Sequence, residues 1–327
     1  MIKLVYVKNG VTKDVTAFTG NYVRSDNVDS LGMSFTFELL NNPLDYMQDE
    51  HELEVGGKVI LSNNGTTIFT GIIIGYDRSS LNRYSYRCYD FGFYLNKNEA
   101  IIQFNGVSVS NALKRLCSEN DIPVGQITNV STVVNKIYNG EKISDIIKDL
   151  LKLATDELGT KYRLEVRDNK LYIQRYEDLV LTVFYKPAYS VRGFDPTLFV
   201  GDFSSSYSIE EMSNKVIVTS GNEKHAQTVA TVEDGSNIST YGLLTKVEKV
   251  DGKNRSQAMQ IAKTKLKELN KVTRSFSITL YGDDRVRSGR MLVFNQPEIN
   301  LVGTFLVKSC THTYTGKTQF MELELEV

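Results

Sequence analysis

The sequence contains no tryptophan, only three cysteines and only three histidines among its 327 residues. Cys88, Cys117 and Cys310 are far apart and show no Cys-x-x-Cys spacing, which argues against a disulfide framework or a zinc site. We expect all three thiols to be reduced, because strand cysteines are more often small buried hydrophobes than disulfide partners. The protein is therefore expected to fold in a reducing compartment.

The sequence also lacks a net charge and a long apolar run. Its 38 Lys and Arg residues nearly balance its 39 Asp and Glu residues, so the net charge of -1 provides no overall attraction to nucleic acid or to an anionic membrane. No run approaches the roughly 20 apolar residues of a membrane span, and the first residues do not resemble a signal peptide. We expect a soluble protein, made in the cytoplasm, whose partners are other proteins.

The few histidines offer little support for catalysis. A nucleophilic triad needs a histidine within hydrogen-bond reach of a serine or cysteine, and only His51, His225 and His312 are available. His312 alternates with Cys310 and Tyr314 in a predicted strand, and the other two occur in polar stretches. We interpret each as an ordinary strand or surface histidine. His-Glu-x-x-His, His-x-His and paired-cysteine spacings are absent, so no metal site and no cofactor are predicted.

Adjacent acidic residues occur at three places, and a glycosidase needs two carboxylates that flank its substrate bond. The pairs are Asp49-Glu50, Glu210-Glu211 and Asp283-Asp284. Neighbouring residues on a strand point to opposite faces, which weighs against a joint role, and the absence of tryptophan slightly weakens a case for sugar stacking. We favour solvated turn acids and predict no catalytic residue.

The chain length leaves room for two or three domains, at roughly 100–200 residues per domain. Residues 1–96 form short β-type runs separated by turn signals such as Asn9-Gly10 and Asn64-Gly65, which predicts a barrel or sandwich. Residues 97–203 contain amphipathic helices and a hairpin, and residues 204–327 are again rich in predicted strands. The predicted fold is mainly β with an α+β middle region: two similar antiparallel β-barrel domains flank a helix-containing middle domain.

The middle region contains a short internal repeat. Residues 104–116 (FNGVSVSNALKRL) align with residues 138–150 (YNGEKISDIIKDL). Both are predicted turn-into-helix units, and because no third copy follows, two related helices on one small sheet are favoured over a solenoid. The second helix, at 141–158, ends at Gly159. Residues 139–147 resemble the first half of a LysM peptidoglycan-binding motif, but no second LysM helix follows, so a turn with a helix cap is favoured.

A single helix, at 254–271, is predicted to be inserted among the strands of the last third. Its apolar side carries Ala258, Ile261, Ala262, Leu266 and Leu269. Another side carries Lys263, Lys267 and Lys271 at i, i+4 spacing, and only Glu268 offsets them. Two interpretations remain open: a solvated face, which we favour, and a dock for an acidic partner. These three lysines are the candidate partner-contact residues.

The order of short motifs in the last third carries a family resemblance. The segments, in order, are 208–218 (SIEEMSNKVIV), 241–244 (YGLL), 268–270 (ELN), 303–307 (GTFLV) and 321–323 (MEL). The first is similar to the entry into the second barrel of XkdQ/YqbQ-type phage tail hub proteins, and the rest follow in that family's order. The resemblance covers nearly the whole chain, and it rests on order and length rather than on one diagnostic residue.

This resemblance implies a homotrimer of two-barrel subunits in the baseplate of a contractile phage tail or a phage-tail-like bacteriocin. Such a hub closes the end of the tail tube and carries the central spike, and two similar barrels per subunit would present six quasi-equivalent positions to a six-fold tube. The expected partners are the tail tube protein, the central spike, other baseplate proteins and the tape measure protein. No catalytic residue, sequence-specific nucleic acid or membrane insertion is implied.

Two other functions remain open on the sequence. One is a tail-associated peptidoglycan hydrolase, for which the required acid pair is not evident. The other is a cell-wall-binding module. The sequence also leaves open whether the source particle is an infectious phage or a bacteriocin, although either places the protein first in the bacterial cytoplasm and then in a tail baseplate.

Overall fold

The computed structural model shows a mainly β protein with a few helices. It describes residues 1–41, 53–80, 82–181, 203–221, 227–250, 255–297, 300–316 and 318–326. Each of its main units has its own hydrophobic core. None of the helices in these ranges has the length and hydrophobicity of a transmembrane segment.

The first block is an antiparallel array of seven strands. They are β1 (Ile2–Lys8), β2 (Val11–Asp14), β3 (Thr19–Asn27), β4 (Ser34–Leu40), β5 (Lys58–Asn63), β6 (Thr66–Arg78) and β7 (Arg83–Tyr89). Their spatial order is β2-β1-β5-β6-β7-β4-β3. The predicted turns are confirmed: Asn9-Gly10 and Asn64-Gly65 have positive φ at both residues, as two-residue hairpin loops require.

The middle domain combines three helices with two small sheets. Its elements are α1 (Gly92–Lys97), β8 (Glu99–Ser108), α2 (Val109–Glu119), β9 (Val124–Ile127), β10 (Val133–Lys142), α3 (Ile143–Leu158), β11 (Tyr162–Arg167) and β12 (Lys170–Arg175). Strand β8 pairs with β10, and β12 pairs with both β11 and β9. Helix α3 ends as predicted at Gly159, whose φ of 70° is the left-handed conformation of a C-terminal cap.

The internal repeat forms a pseudo-two-fold pair. Ile102 pairs with Tyr138, and Phe104 pairs with Lys136. At the offset of the aligned copies Phe104 corresponds to Tyr138 and Ile102 to Lys136, so exchanging the two copies converts one pair into the other. The ladder is interrupted opposite Gly106 and again at Gly140, and both glycines have positive φ, as a β-bulge of this kind requires. Helices α2 and α3 contact each other, α2 contacts both strands, and α3 contacts β10. The prediction of two related helices on one small sheet is confirmed.

The second block contains β13 (Val180–Leu181), β14 (Phe203–Ser208), β18 (Thr273–Tyr281), β19 (Met291–Gln296), β20 (Leu301–Thr315) and β21 (Thr318–Glu326). In strand β21 every second residue is buried: Met321, Leu323 and Leu325. Although β13 precedes residue 203, it pairs with β19 and so belongs to this block. The two blocks join through antiparallel pairing of β3 with β20, which gives one 13-stranded sheet.

Two separate cores lie within this continuous sheet. The first block is packed around Phe35, Phe37 and Tyr86, and the second around Phe276 and Phe305. The mainly β fold class, with its α+β middle region, is confirmed. The closure of each block into a barrel, and the superposition of the two blocks, stay predictions.

The prediction of one helix inserted in the second block is wrong, because an α/β unit occupies that place. This insert, residues 209–272, contains β15 (Lys215–Ser220), β16 (Gln227–Glu233), α4 (Gly235–Tyr241), β17 (Thr245–Lys249) and α5 (Arg255–Leu269). Its three strands form their own sheet, in the order β16-β15-β17. Helix α5 packs on β15 and β16 through Ala258, Ile261 and Ala262, which are buried as predicted. The alternation of side chains along β15 shows that it is a strand, but it does not show which sheet the strand joins.

Candidate functional site: a lysine face and a buried polar junction

The candidate partner-contact lysines do not share one helix face. Lys263 and Lys267 are exposed on α5, but that helix ends at Leu269, so Lys271 lies beyond it. Lys271 is also exposed. Asn254, the predicted first residue of the helix, lies outside the described residues. Within the described ranges no ion pair is found for Lys263 or Lys267, which leaves both ammonium groups to the solvent.

Glu268 does not offset the exposed lysines as predicted. Its carboxylate pairs with Lys161 Nζ of the middle domain at 2.6 Å and with Lys265 Nζ at 3.4 Å. Burial raises the pKa of Glu268. The hydrogen bond and charge of Lys161 and the charge of Lys265 outweigh this effect, so the pKa of Glu268 lies below its usual value. Lys265 also stands 3.6 Å from Asp156 on α3. Ion pairs therefore connect the insert to the middle domain.

Cys310 and His312 are the one place where the structure brings a described histidine close to a thiol. The Cys310 Sγ and His312 Nε2 atoms are 3.2 Å apart, and both side chains are buried. His312 Nε2 lies 2.9 Å from the Val286 carbonyl oxygen, which can only accept, so Nε2 carries the hydrogen. Nδ1 then accepts from Gln319 Nε2 at 3.1 Å. Neither ring nitrogen is left to take a proton from the thiol.

The pKa shifts of this pair point the same way. Burial and the charge of Arg24 lower the pKa of His312 to about 4, so the ring is neutral at pH 7. Burial raises the pKa of Cys310 well above its usual value, so the nucleophilic thiolate is disfavoured. Cys88 and Cys117 are also buried and unpaired, as small strand and helix hydrophobes. His51 and His225 lie outside the described residues.

The acidic pairs have different environments. Glu210 and Glu211 are exposed in a turn, as predicted, and Asp49-Glu50 lies outside the described residues. The interpretation of Asp284 as a solvated turn acid is wrong. Its carboxylate accepts hydrogen bonds from Asn63 Nδ2 of the first block at 2.8 Å, and from Tyr314 and Gln319 of the second. Asp284 thus ties the two blocks together.

Ser288 is the meeting point of three regions. Its backbone N–H and its hydroxyl both donate to the carboxylate of Asp26 on β3, the hydroxyl at 2.9 Å. From the middle domain, Arg163 donates Nη2 to the Ser288 hydroxyl at 2.7 Å and Nη1 to the Val28 carbonyl at 3.1 Å. Asp26, Arg163 and Ser288 are all buried. A buried polar group needs such partners, so these bonds fix how the three regions meet.

A buried ion pair completes this junction. Arg290 donates both terminal nitrogens to the two carboxylate oxygens of Glu165 on β11, at 3.0 and 3.1 Å. Burial raises the pKa of Glu165, but the charges of Arg287 and Arg290 outweigh it, so the pKa lies below its usual value. Both side chains are almost fully buried. The bidentate geometry fixes the orientation of the middle domain against the second block.

Sequence reasoning missed the whole junction, although one signal was present. On β3, Arg24 and Asp26 continue the alternation that places Tyr22 in the core, so charged side chains occupy inward positions. A charged side chain at an inward strand position is rare unless it has a partner. The alternation could therefore have identified these two residues as buried and paired. The partner of Asp26 could not be identified in this way, because Ser288 lies 262 residues away. No group of three or more metal-binding side chains is found in the described part of the chain.

The profile of the YQBQ-like family matches residues 24–326, almost the whole length of the chain. The chain belongs to the YQBQ-like family. One relative of this family member is the phage-like element PBSX protein XkdQ of Bacillus subtilis strain 168, which is 25% identical over 285 residues. The match covers 85% of this chain and 83% of the relative. The resemblance drawn from the motif order is confirmed.

Solved structures share the fold of this YQBQ-like chain. A 43 kDa tail protein of prophage MuSo2 from Shewanella oneidensis matches with a TM-score of 0.71 and 12% identity, covering 99% of this chain and 98% of its own. The E. coli c3393 protein, described as a type VI secretion component similar in structure to the T4 phage tail proteins gp27 and gp5, matches with a TM-score of 0.52 and 12% identity. Coverage is 94% of this chain and 73% of that protein.

Proposed function

We propose that this protein is a non-catalytic hub subunit of a tail baseplate, which caps the tail tube and adapts its six-fold symmetry to a three-fold central spike. The observation that carries the proposal is the pair of β blocks, each with its own core, held in one continuous sheet. A phage tail protein shares this arrangement over nearly its whole length. The particle is a contractile phage tail or a related bacteriocin, assembled in the bacterial cytoplasm.

Two β blocks per subunit allow one assembly to match both symmetries. A homotrimer with two β blocks per subunit presents six blocks around one axis, so one face can meet a hexameric ring while the subunits keep three-fold symmetry. The buried hydrogen bonds at the junction support this role, because the two blocks must keep one fixed relation if all six are to lie in one ring. The partners in this assembly are the tube protein, the spike, other baseplate proteins and the tape measure protein.

Electron cryo-microscopy of the assembled tail tests this proposal. We expect three copies of the chain in a pseudo-six-fold ring around a channel, with the blocks at alternating positions. One copy per particle, or six copies with strict six-fold symmetry, would contradict the adaptor role. A cell-wall degradation assay on the purified protein tests the non-catalytic part, and clear turnover would overturn it.

The exposed lysines on the insert supply a second, smaller proposal: Lys263 and Lys267 contact an acidic surface of a neighbouring protein. Both are exposed and unpaired in the described ranges. The double variant Lys263→Glu/Lys267→Glu should keep its melting temperature but give fewer assembled particles. The control Lys114→Glu/Lys142→Glu reverses two exposed lysines of the middle domain instead. Equal particle yields from the two double variants would assign Lys263 and Lys267 to solvent.

A further inference from the structure

A cleft of about 240 Å³ opens where the three regions meet. Its walls come from β3 and the start of β6 in the first block, from the β11–β12 turn of the middle domain, and from residues 284–287 of the second block. Four of its lining residues are arginines, among them Arg24 and Arg287, and three are aspartates. The hydroxyl-bearing residues Thr66, Thr67 and Thr70 also line it. The hub role proposed above does not account for this cleft.

Arg24 brings a buried cation to the cleft with part of its hydrogen-bonding capacity unused. The residue is 2% exposed. Its Nη1 donates to the Ile68 carbonyl oxygen at 2.9 Å, while Nε and Nη2 have no hydrogen-bond partner. The nearest carboxylate oxygen, on Asp284, is 3.7 Å from Nη2, beyond hydrogen-bond distance. Leaving buried charged donors unsatisfied costs at least about 1–3 kcal/mol, so an acceptor is expected there.

No residue in the described ranges supplies that acceptor. The Asp284 carboxylate already accepts from Asn63, Tyr314 and Gln319, which hold it in place. Moving it towards Arg24 would break those bonds between the two blocks. An acceptor that enters the cleft would satisfy these donors without breaking those bonds.

Arg287, from the second block, also has an unused donor. Its Nη2 donates to the Val166 carbonyl oxygen at 3.2 Å, and its buried Nε has no hydrogen-bond partner. Nε stands 3.8 Å from the Asp26 carboxylate, which is already bonded to the backbone and hydroxyl of Ser288. Two guanidinium groups with unused N–H donors thus line one small cleft.

We propose that this cleft is a binding site for a small oxyanion, which Arg24 and Arg287 hold and the threonine hydroxyls orient. Arginine suits planar or tetrahedral oxyanions, because its N–H groups form a rigid fork that can donate two parallel bonds. The same chemistry fits a free phosphate ion and a carboxylate. An oxyanion held here bridges all three regions and stabilises their junction.

Isothermal titration calorimetry of the full-length chain tests the site, with inorganic phosphate in one arm and acetate in the other, at ionic strength held constant with sodium chloride. Wild-type protein should bind at least one of the two anions with one-to-one saturation. Binding of phosphate alone identifies a tetrahedral phosphate-type ligand, and binding of acetate identifies a carboxylate; both support the site. If neither anion binds saturably, the proposal is overturned.

Three variants locate the binding. Arg24→Gln and Arg287→Gln should each weaken binding by about tenfold or more, the equivalent of one lost charged hydrogen bond. Arg115→Gln is the matched control, because it removes an exposed arginine on α2, far from the cleft, and should bind as wild type does. If Arg24→Gln does not fold, Thr67→Val at the exposed rim still tests the site and should weaken binding several-fold. Unchanged affinity in both Arg287→Gln and Thr67→Val would refute it.

Discussion

The two β blocks share one sheet but are packed differently. In the core of the first block, Phe37 stacks on Phe35 and on Tyr86, with centroid distances of 5.5 and 5.0 Å. Phe35 and Phe69 are tilted at 41° to each other. In the core of the second block, Phe305 meets Phe276 and Phe294 edge to face, with centroid distances of 5.3 and 5.9 Å. Both arrangements are favourable for aromatic pairs. Both cores consist of inward-facing apolar residues of alternating strands. The angle between their aromatic rings differs from one core to the other.

The junction between the blocks follows a different rule. Where β3 meets β20, buried side chains such as Arg24, Asp26 and His312 form hydrogen bonds with defined partners. Apolar packing tolerates rearrangement, whereas a buried polar group is satisfied only in one geometry. We infer that the cores provide the stability of each block, and that the junction fixes how the blocks are placed relative to each other.

The largest expected effect comes from removing one ring from each core. Phe35→Ala and Phe276→Ala should each lower the free energy of unfolding by about 3–5 kcal/mol, because both rings are fully buried. Since one sheet runs through both blocks, each variant should lower the midpoint of the same single transition in thermal or denaturant unfolding. Phe320→Ala, at a half-exposed ring, is the control and should change little. Two separate transitions would show that the blocks unfold independently.

The next effect concerns the buried ion pair at the junction. Arg290→Met should cost about 3 kcal/mol, because it leaves the Glu165 carboxylate buried without its bidentate partner. Glu165→Met/Arg290→Met should cost less than the single variant, since it buries neither charge of the pair. Denaturant unfolding of both variants measures the difference. A double variant less stable than Arg290→Met would mean that the pair itself stabilises the junction beyond compensating its own burial.

The buried Asp90 should make the free energy of unfolding depend on pH. Burial raises the pKa of Asp90 to about 6, although Arg287 lowers it and Asp26 raises it further. A carboxyl whose pKa is raised by folding favours the folded state when protonated, so its contribution falls as pH rises from about 4 to about 6. Asp90→Asn keeps an oxygen for the Gly92 N–H and removes this titration.

We therefore expect Asp90→Asn to match wild type in stability near pH 4 and to exceed it at pH 7, by on the order of 2 kcal/mol. Unfolding free energies measured across this range test the expectation. The opposite order at pH 7 would show that the ionised carboxylate is needed by Arg287. Asp283→Asn is a suitable control, because its pKa is lowered by Arg285 rather than raised.

The smallest effect concerns the ion pairs that connect the insert to the middle domain. Lys161→Ala removes one partner of Glu268 and should cost only about 0.2–1 kcal/mol, because the lysine side chain is 59% exposed. Hydrogen exchange should accelerate in α5 and not in the two cores, and added salt should reduce the difference from wild type. Lys170→Ala, an exposed lysine on β12, is the matched control. Faster exchange in the core strands would show that the insert also supports the blocks.

Several features were determined by the sequence alone, because their causes are local. The apolar alternation of β21 predicted which face is buried, and the repeat at 104–116 and 138–150 predicted two related helices on a small sheet. Turn residues predict where the hairpins reverse direction. Asp168 and Asn169, between β11 and β12, both have positive φ, which Asp and Asn tolerate better than most residues. Each of these signals lies within a few residues of the structure that it produces.

The tertiary structure alone decided how the units are joined. The hydroxyls of Ser25 on β3 and Thr311 on β20 share a hydrogen bond, although the two residues are 286 positions apart in the sequence. No local pattern identifies a partner at that separation. The same holds for Ser288 with Asp26 and for the separate sheet of the insert, whose strands show ordinary alternation. A strand's side-chain period shows which face is buried, but not which strand or core will cover it. That choice depends on the packing of all the units together.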